Sequence, residues 1–333
     1  MASELVDGTG ELEESGNANW MSKLPEKLQA TTLWELAIPG SHDTMCYDLD
    51  QTSPVMEPDT LVKLDQLLPS VVRPIIYRWA TTQESGVTEQ LNLGVRFFDL
   101  RIAHKPDDSS NTLYFAHGLF THSTVESVLS EIHSWLENHS KEVVILALSH
   151  FHNLSVSNHD HLVSFIKTLF GSKLLPRQDL PTLQTCWESK KQVIISYDFL
   201  RASDQNLELW LSVPYHYGDT LDPEKVIAVL DQKLQEGRPA RFFISGLNLT
   251  LPESPEEVLK HVLGSLRDTT LPSLPRLLDW VKRQTPGPGK TCINIICSDF
   301  VNHMKFVPLI IKLNDKLLSQ EEDSTTSSSD SEY

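Results

Sequence analysis

Short apolar runs alternate with helical patterns through the middle of this chain. The runs are rich in β-branched and aromatic residues and have the lengths typical of strands. They occupy residues 34–38, 95–102, 113–116, 142–148, 192–197, 242–249 and 292–296. Apolar residues recur at helical spacing between several of these runs, for example over residues 125–136 and 162–169. The pattern therefore predicts an alternation of strands and helices.

Glycine and proline mark three of the predicted helix ends. Gly171 follows the second helical pattern, as glycine often does at a helix C-terminus. A third helix is predicted to begin at Asp222 and Pro223 and to end at Gly237. Helices between strands imply parallel strands joined by crossovers. One more strand would complete a (β/α)8 barrel, so the predicted fold is a single distorted TIM-type α/β barrel.

The chain length is consistent with one barrel and two short tails. Its 333 residues accommodate a barrel of about 250 residues with additional loops. The predicted barrel domain spans residues 19–319, between an acidic tail at 1–18 and an acidic, Ser/Thr-rich tail at 320–333. Both tails are predicted to be disordered, because neither can bury enough apolar surface to offset the entropy of ordering it.

The stretch LAIPGSHDTM, residues 36–45, places polar side chains directly after an apolar run. An apolar run that meets Pro39-Gly40 predicts a buried strand that ends in a tight turn. His42 and Asp43 would then emerge where a loop leaves the sheet. Barrel enzymes carry their catalytic residues at this end of the strands.

Several other predicted strands also end in side chains that can do chemistry. Two histidines on separate strands can act as general base and general acid, because imidazole titrates near neutrality. Carboxylates can hold the histidine tautomers, and an arginine can donate to two phosphate oxygens. The set suggests attack at phosphorus with proton transfer on both sides. The candidate site residues are His42, Asp43, Asp99, Arg101, His117, Ser149, Tyr197 and Asp299.

Two other interpretations of these residues remain open. Asp99 and Arg101 could form a structural ion pair. Histidine and carboxylate are also common metal ligands, so divalent-metal binding is an alternative for His42, Asp43, His117 and Asp299.

The charge of the chain argues against nucleic acid as a partner. The formal net charge is −17, from 45 acidic and 28 basic residues, and no cluster of Lys and Arg resembles a phosphate-binding stripe. The same excess of acidic residues disfavours docking on an anionic membrane by charge alone.

The N-terminus lacks the apolar segment of a signal peptide, and no run is long enough to span a membrane. Four scattered cysteines favour reduced thiols in a cytoplasmic protein.

Five motifs together resemble the X-domain of phosphatidylinositol-specific phospholipases C. The resemblance extends from about residue 19 to residue 318, and it is closest to the small vertebrate PI-PLC X domain-containing proteins. It implies a distorted barrel that cleaves phosphatidylinositol-like lipids to diacylglycerol and a cyclic inositol phosphate. The motifs are IPGSHDT, GVRFFDLRI, YFAHG, EVVILALSH and NIICSDF.

The resemblance also implies a role for each matching residue. His42 corresponds to the base that deprotonates the inositol 2-hydroxyl, and His117 to the acid that protonates the departing diacylglycerol oxygen. Asp299 resembles the aspartate that orients the first histidine. Asp43 resembles the one that supports the second histidine.

The second strand departs from the calcium-dependent members of this family. Those enzymes have Glu-Leu-Asp, whose carboxylates bind calcium, where this chain has Asp99-Leu100-Arg101. A cation in place of an acidic ligand disfavours a calcium site, which requires several oxygen ligands. The bacterial, metal-independent members share Asp-x-Arg. The resemblance therefore predicts Arg101 as a stabiliser of the transition state, with no metal and no cofactor.

The substrate-binding positions are less conventional. Asp99, Ser149 and Tyr197 are the candidates. Bacterial members have a lysine where this chain has Ser149 or His150, and an arginine where it has Tyr197, which leaves the head group undetermined. The expected partner is a phospholipid, contacted transiently at a membrane surface. LWLSVPYHYG, with Trp210, Tyr215 and Tyr217, predicts either an aromatic rim that touches lipid or core packing.

Two rival functions remain open. One is a catalytically weak or silent phosphoinositide-binding module with the same barrel, and the other is a metal-dependent phosphodiesterase of similar architecture.

Overall fold

The computed structural model describes residues 16–56, 59–252 and 260–319. The predicted tails at 1–18 and 320–333 lie outside these ranges except for residues 16–18. Asn17–Asn19 form a short 3₁₀ turn, and the Ala18 carbonyl accepts a hydrogen bond of 2.8 Å from Arg96. Ala18, which the sequence assigns to the N-terminal tail, thus contacts the barrel domain.

Eight parallel strands form a curled sheet, which confirms the predicted α/β barrel class. The sheet order is β7-β6-β5-β2-β1-β10-β9-β8. No pairing between described residues joins β7 to β8, so the barrel is open there. These parallel strands are β1 (Ile38–Ser41), β2 (Phe97–His104), β5 (Val144–His152), β6 (Val193–Tyr197), β7 (Leu209–Trp210), β8 (Tyr215–His216), β9 (Ile244–Gly246) and β10 (Ile295–Ser298).

The third predicted strand is not a parallel barrel strand, contrary to the sequence-based prediction. It forms β3 (Leu113–His117), which pairs antiparallel with the end of β2 and with β4 (Leu119–Thr124). The connection from His104 to Leu113 is too short for the crossover of a dozen or more residues that parallel strands need. Gly118, with φ +71°, makes the tight turn between β3 and β4.

The first strand is also displaced from its predicted position. Leu33–Glu35 form a 3₁₀ turn, and β1 contains Pro39 and Gly40 instead of ending before them. A Cβ atom on Gly40 would lie 2.5 Å from Sγ of Cys297 on the adjacent strand. Gly40 thus permits close strand packing, and His42 follows directly from the strand end.

Eleven helices have both ends within the described ranges, and most of them pack on the outside of the sheet. Gly171 ends α6, Asp222 caps α9 with Pro223 in its first turn, and Gly237 ends α9, as predicted. The helices are α1 (Glu26–Gln29), α2 (Asp59–Leu67), α3 (Pro69–Ala80), α4 (Val87–Leu93), α5 (Val125–Asn138), α6 (Val156–Phe170), α7 (Leu183–Glu188), α8 (Leu200–Gln205), α9 (Pro223–Glu236), α10 (Leu266–Arg283) and α11 (Phe306–Leu313).

None of the helices within the described ranges has the length and apolarity needed to cross a bilayer. All four cysteines are unpaired thiols.

The side chains of the barrel strands pack into two apolar cores, one on each face of the sheet. Residues such as Ile38, Phe97 and Ile295 fill the interior of the barrel, whereas Phe98 and Leu148 pack under the helices. Successive residues of a strand point to opposite faces. We call the interior core the apolar floor. Polar side chains that face the interior near the strand ends therefore lie above this floor, at the C-terminal mouth of the barrel.

Candidate active site

His42 lies at the end of β1 and is held through both ring nitrogens. Its Nδ1 lies 2.7 Å from Oδ1 of Asp299, which follows the neighbouring strand β10. Its Nε2 lies 2.9 Å from Nη2 of Arg101. A guanidinium can only donate hydrogen bonds, so Nε2 accepts and the proton resides on Nδ1. This arrangement leaves the Nε2 lone pair of a neutral imidazole at the mouth of the barrel.

The carboxylates around His42 raise its pKa. Burial alone would lower the pKa of His42, but Asp299 and Asp43 outweigh this effect and raise the pKa above its usual 6.5. Burial also raises the pKa of Asp299, although His42 opposes that shift. The His42–Asp299 pair is thus a tightly coupled, almost fully buried unit.

Arg101 connects the acidic groups of the site. It lies two residues after Asp99 on β2, so both side chains project into the barrel. Its Nε is 2.9 Å from Oδ1 of Asp43, and its Nη2 is 3.2 Å from Oδ2 of Asp99. Burial disfavours the charge of Arg101, but Asp43 and Asp99 outweigh it and raise the pKa. Arg101 is therefore a fixed positive charge.

Asp43 adopts a left-handed backbone conformation. Its φ is +41°, a conformation that non-glycine residues rarely adopt. Hydrogen bonds hold this conformation, from Asp43 N to Oδ2 of Asp99 at 3.1 Å and from Oγ1 of Thr82 to the Asp43 carbonyl at 2.8 Å. Burial would raise the pKa of Asp43, but Arg101 and His117 outweigh burial and lower it. Asp43 therefore remains an anion beneath the mouth.

His117 lies at the end of β3 and is partly exposed. Its Nδ1 is 3.0 Å from the Ala80 carbonyl, so this nitrogen donates a hydrogen bond and Nε2 is left to face a ligand. The expected support from Asp43 takes a different form, because Oδ2 of Asp43 is 3.7 Å from Nδ1, beyond hydrogen-bonding distance. The backbone of α3, through the Ala80 carbonyl, therefore fixes the ring instead of Asp43.

Gln83 connects three segments of the site, although no sequence motif distinguishes it. Its buried amide donates to the carbonyls of His42 at 2.9 Å and Ser298 at 3.0 Å. Its Oε1 accepts from the backbone N–H of Val301 at 3.2 Å. Gln83 thus fixes the loops after β1 and β10, which carry His42 and Asp299.

The three residues of the predicted aromatic rim have separate environments. Trp210 packs edge-to-face on Phe242 within the apolar floor, with ring centroids 5.7 Å apart. Tyr215 lies beside the site, with its ring centroid 6.0 Å from that of His42 and its hydroxyl donating to Asn248 at 2.9 Å. Tyr217 is exposed. For Trp210 the structure therefore supports the core-packing interpretation. Tyr215 forms part of the wall of the site.

The two remaining substrate-binding candidates point in opposite directions. Ser149 is paired in register with Arg101 and lies on the interior face, with its Oγ 2.9 Å from Nδ1 of His150. Tyr197 lies in the core beneath the helices, and its hydroxyl is 2.9 Å from Nδ1 of His159 on α6. The assignment of Tyr197 to the substrate site is wrong, because its position in the strand turns it away from the barrel interior.

One cluster within the described residues has the geometry of a possible metal site. His42, Asp43 and Asp99 each offer a ligand atom, and these atoms lie within 4.8 Å of one another. The guanidinium of Arg101 contacts all three residues. A permanent cation thus already neutralises these ligands.

Comparison with known proteins identifies relatives of this chain. A family model described as PI-PLC X 1 matches residues 77–222. PI-PLC X domain-containing protein 1 of Danio rerio is 46% identical over 300 residues, which cover 89% of this chain and 96% of that protein. The Homo sapiens protein of the same name is 45% identical over 306 residues, with coverages of 91% and 94%.

Solved structures show the same fold. A pentafluoro-Phe form of phosphatidylinositol-specific phospholipase C from Staphylococcus aureus aligns with a TM-score of 0.63 at 16% identity, covering 90% of this chain and 99% of that one. The Listeria monocytogenes enzyme aligns with a TM-score of 0.60 at 20% identity, with coverages of 90% and 98%. The similarity to the curated relatives extends along nearly the whole chain, and the chain therefore belongs to the family of PI-PLC X domain-containing proteins.

Proposed function

We propose that this protein is a metal-independent phosphodiesterase that cleaves phosphatidylinositol-like lipids to diacylglycerol and cyclic inositol phosphate. The observation that carries the proposal is the hydrogen bonding of the two ring nitrogens of His42. Asp299 holds Nδ1 at 2.7 Å, and the Arg101 guanidinium donates to Nε2 at 2.9 Å. A histidine fixed in this tautomer is prepared to accept a proton at Nε2.

The proposed reaction begins at His42. A substrate phosphate draws the Arg101 guanidinium into hydrogen bonds with its oxygens, which frees Nε2 of His42. Nε2 takes the proton of the inositol 2-hydroxyl, and that oxygen forms a new bond to phosphorus. Arg101 neutralises the charge that develops on the phosphoryl oxygens, a contribution that is largest at a buried site.

The reaction is completed at His117. The bond from phosphorus to the glycerol oxygen breaks, and Nε2 of protonated His117 donates its proton to that oxygen. The Asp43 carboxylate lies 3.7 Å from Nδ1 of His117, on the side of the ring away from the proton-donating nitrogen. Asp99 and Ser149 line the interior beside Arg101 and are the proposed contacts for the head group.

Arg101 also accounts for the proposed absence of a metal. A divalent cation at the His42–Asp43–Asp99 cluster would meet a permanent positive charge that contacts all three ligands. We place the activity in the cytoplasm, since four unpaired cysteines suit a reducing compartment.

Release of inositol phosphate from phosphatidylinositol in excess chelator tests the proposal. Wild-type protein should be active, and His42→Ala and His117→Ala should each lose about 10²- to 10⁴-fold. Lys233→Ala, which removes one member of a surface ion pair with Glu236, is the control and should retain activity. Lipid binding without turnover in any sample would instead identify the silent binding module.

A further inference from the structure

A cavity of about 390 Å³ lies between the loop after β1, strand β4 and the ends of β2 and β5. Small-molecule sites have volumes of this order and combine apolar walls with a few polar groups. Its polar wall consists of His152 and Asn153 at the end of β5. Its apolar wall consists of Pro54, Val55, Met56, Pro106 and Phe120. The catalytic steps proposed above leave this cavity unused.

Strand register places the cavity directly beyond Arg101. Arg101 and Ala103 are two residues apart on β2, so their side chains project from the same face of the strand. Ala103 pairs in register with His152 and packs in one apolar cluster with Phe120 and Met56. Two residues of a strand span about 7 Å. The cavity wall therefore begins one side chain farther along β2 than the proposed phosphate-binding group.

The same wall is fixed to the turn that carries the proposed general acid. The backbone N–H of Met56 donates to the Gly118 carbonyl at 2.9 Å, and Gly118 directly follows His117. The backbone N–H of Phe120 donates to Oγ of Ser53 at 3.0 Å. These hydrogen bonds hold the loop after β1 against the β3–β4 turn, so the cavity and His117 share one rigid support.

The proposed base lies deeper in the barrel than the cavity does. The loop that carries His42 is level with Asp99, because the backbone N–H of Thr44 donates to the Asp99 carbonyl at 2.9 Å. Arg101 and then the cavity follow along β2 toward solvent. The attacking and leaving oxygens of phosphoryl transfer lie roughly in line across phosphorus. A head group whose 2-hydroxyl reaches His42 therefore directs the leaving group outward, past Arg101 and toward the cavity.

The polar edge of the cavity suits an ester group. Asn153 has φ +57°, and its side-chain amide donates to the His104 carbonyl at 3.2 Å. A side-chain amide has two N–H donors, so one remains for an ester carbonyl, which only accepts. The apolar walls suit methylene groups. They disfavour the inositol ring, because its hydroxyls would lose their hydrogen bonds to water there.

We propose that this cavity is a leaving-group subsite, which binds the ester groups and the first acyl carbons of the diacylglycerol moiety. The inference rests on the proposed function and deepens it, because it assigns a preference for an acylated leaving group over the bare glycerol. The phosphate at Arg101 and the acyl chains in the cavity would then fix the scissile bond from both sides.

Two water-soluble substrates with the same head group and the same scissile bond test the subsite. Dihexanoyl phosphatidylinositol, used below its micellar concentration, carries two acyl chains, and glycerophosphoinositol carries none. Each buried methylene is worth roughly fourfold in binding. Burial of three to four methylenes should therefore raise wild-type kcat/KM about 100-fold for the acylated substrate. Both substrates are monomeric, so binding to a lipid surface does not contribute.

Two variants change the cavity in different ways. Met56→Trp places a larger ring at a half-buried wall position and should lower kcat/KM for the acylated substrate by about tenfold or more. Asn153→Gly keeps the left-handed backbone and removes the amide, so it should lower the same value by about 2- to 10-fold. Both variants should cleave glycerophosphoinositol as wild type does. Leu207→Trp, at a position 52% exposed before β7, is the control for the added ring.

The substrate comparison can contradict the subsite directly. Equal wild-type kcat/KM on the two substrates would refute it and leave the proposed function intact. It would also be overturned if Met56→Trp and Asn153→Gly each changed both substrates to the same extent, since a subsite for acyl carbons affects only the acylated one.

Binding separates the failure of this inference from the failure of the proposed function. If wild type cleaves neither substrate, the proposed function fails, and titration calorimetry with the same two compounds decides the subsite. Dihexanoyl phosphatidylinositol should bind about 100-fold more tightly than glycerophosphoinositol, and Met56→Trp should reduce this ratio by about tenfold. Equal affinities, or no binding of the acylated compound, would overturn the leaving-group subsite.

Discussion

Nη2 of Arg101 lies 2.9 Å from Nε2 of His42, so the positive group proposed to bind phosphate and the proposed base are in direct contact. This contact sets the histidine tautomer before substrate arrives. It also means that substrate must exchange one hydrogen bond of Arg101 for another. The same side chain that prepares the base therefore makes proton abstraction depend on the presence of a phosphate.

Replacement of Arg101 by lysine should preserve the charge but lose catalysis. An ammonium cannot contact Asp43, Asp99 and His42 with the planar geometry of a guanidinium. We expect kcat/KM for phosphatidylinositol to fall by about 10²- to 10³-fold. Arg276→Lys, at an exposed ion pair with Glu224, is the matched control and should be nearly unaffected. Wild-type activity in Arg101→Lys would contradict the role of the guanidinium.

Asp299→Asn should shift the pH dependence to lower pH. Although burial lowers the pKa of His42, Asp299 and Asp43 raise it above 6.5, and only neutral His42 can act as base. Wild-type kcat/KM should therefore decline as pH falls through this raised pKa. Loss of the Asp299 charge removes a raising influence, so the acidic limb of the kcat/KM profile should move to lower pH. The plateau should also fall, because asparagine can hold the wrong tautomer.

Activity should be insensitive to chelators. Arg101 already neutralises the only candidate ligand cluster that the described residues contain, formed by His42, Asp43 and Asp99. Hydrolysis should be unchanged in excess chelator and should not increase on addition of calcium. Activity that chelator removes and a divalent cation restores would support the metal-dependent phosphodiesterase instead.

Tyr197→Phe should affect stability and not catalysis. The Tyr197 hydroxyl is 2.9 Å from Nδ1 of His159 and lies in the core beneath the helices. Loss of this buried hydrogen bond should reduce the free energy of unfolding by about 1 kcal/mol. We expect unchanged kcat/KM and a lower urea midpoint. A selective loss of substrate affinity with unchanged stability would return Tyr197 to the substrate site.

Gly40→Ala should destabilise the barrel through contact with Cys297. The new Cβ would lie 2.5 Å from Sγ, and such overpacking typically costs about 1–3 kcal/mol. Cys297→Ala removes the sulfur, so the double variant should be more stable than the sum of the single effects predicts. Urea unfolding measures this coupling. Gly86→Ala, where the nearest atom is 3.6 Å away, is the control, and additivity of the Gly40 and Cys297 effects would contradict the argument.

The sequence contained enough information to predict the fold class and the position of most candidate site residues along the chain. Apolar runs followed by His42 and Asp299, and a run that contains Asp99 and Arg101, indicated strands that lead to a functional mouth. That inference works because strand ends and their flanking polar residues are local properties of the chain. The same local pattern does not specify which strand lies next to which.

The tertiary structure decided which side chains meet. Tyr197 belongs to a run in which Val193, Ile194 and Ile195 are all apolar, so no alternation reveals its facing direction, and only the register with β5 sets it. The hydrogen bond from His117 to Ala80 and the three bonds of Gln83 join segments that are distant in sequence. The packing of β1 against β10 placed Pro39-Gly40 within a strand. Local sequence thus determined where reactive groups occur, and long-range packing determined their partners, because buried hydrogen bonds and strand register depend on neighbours that folding brings together.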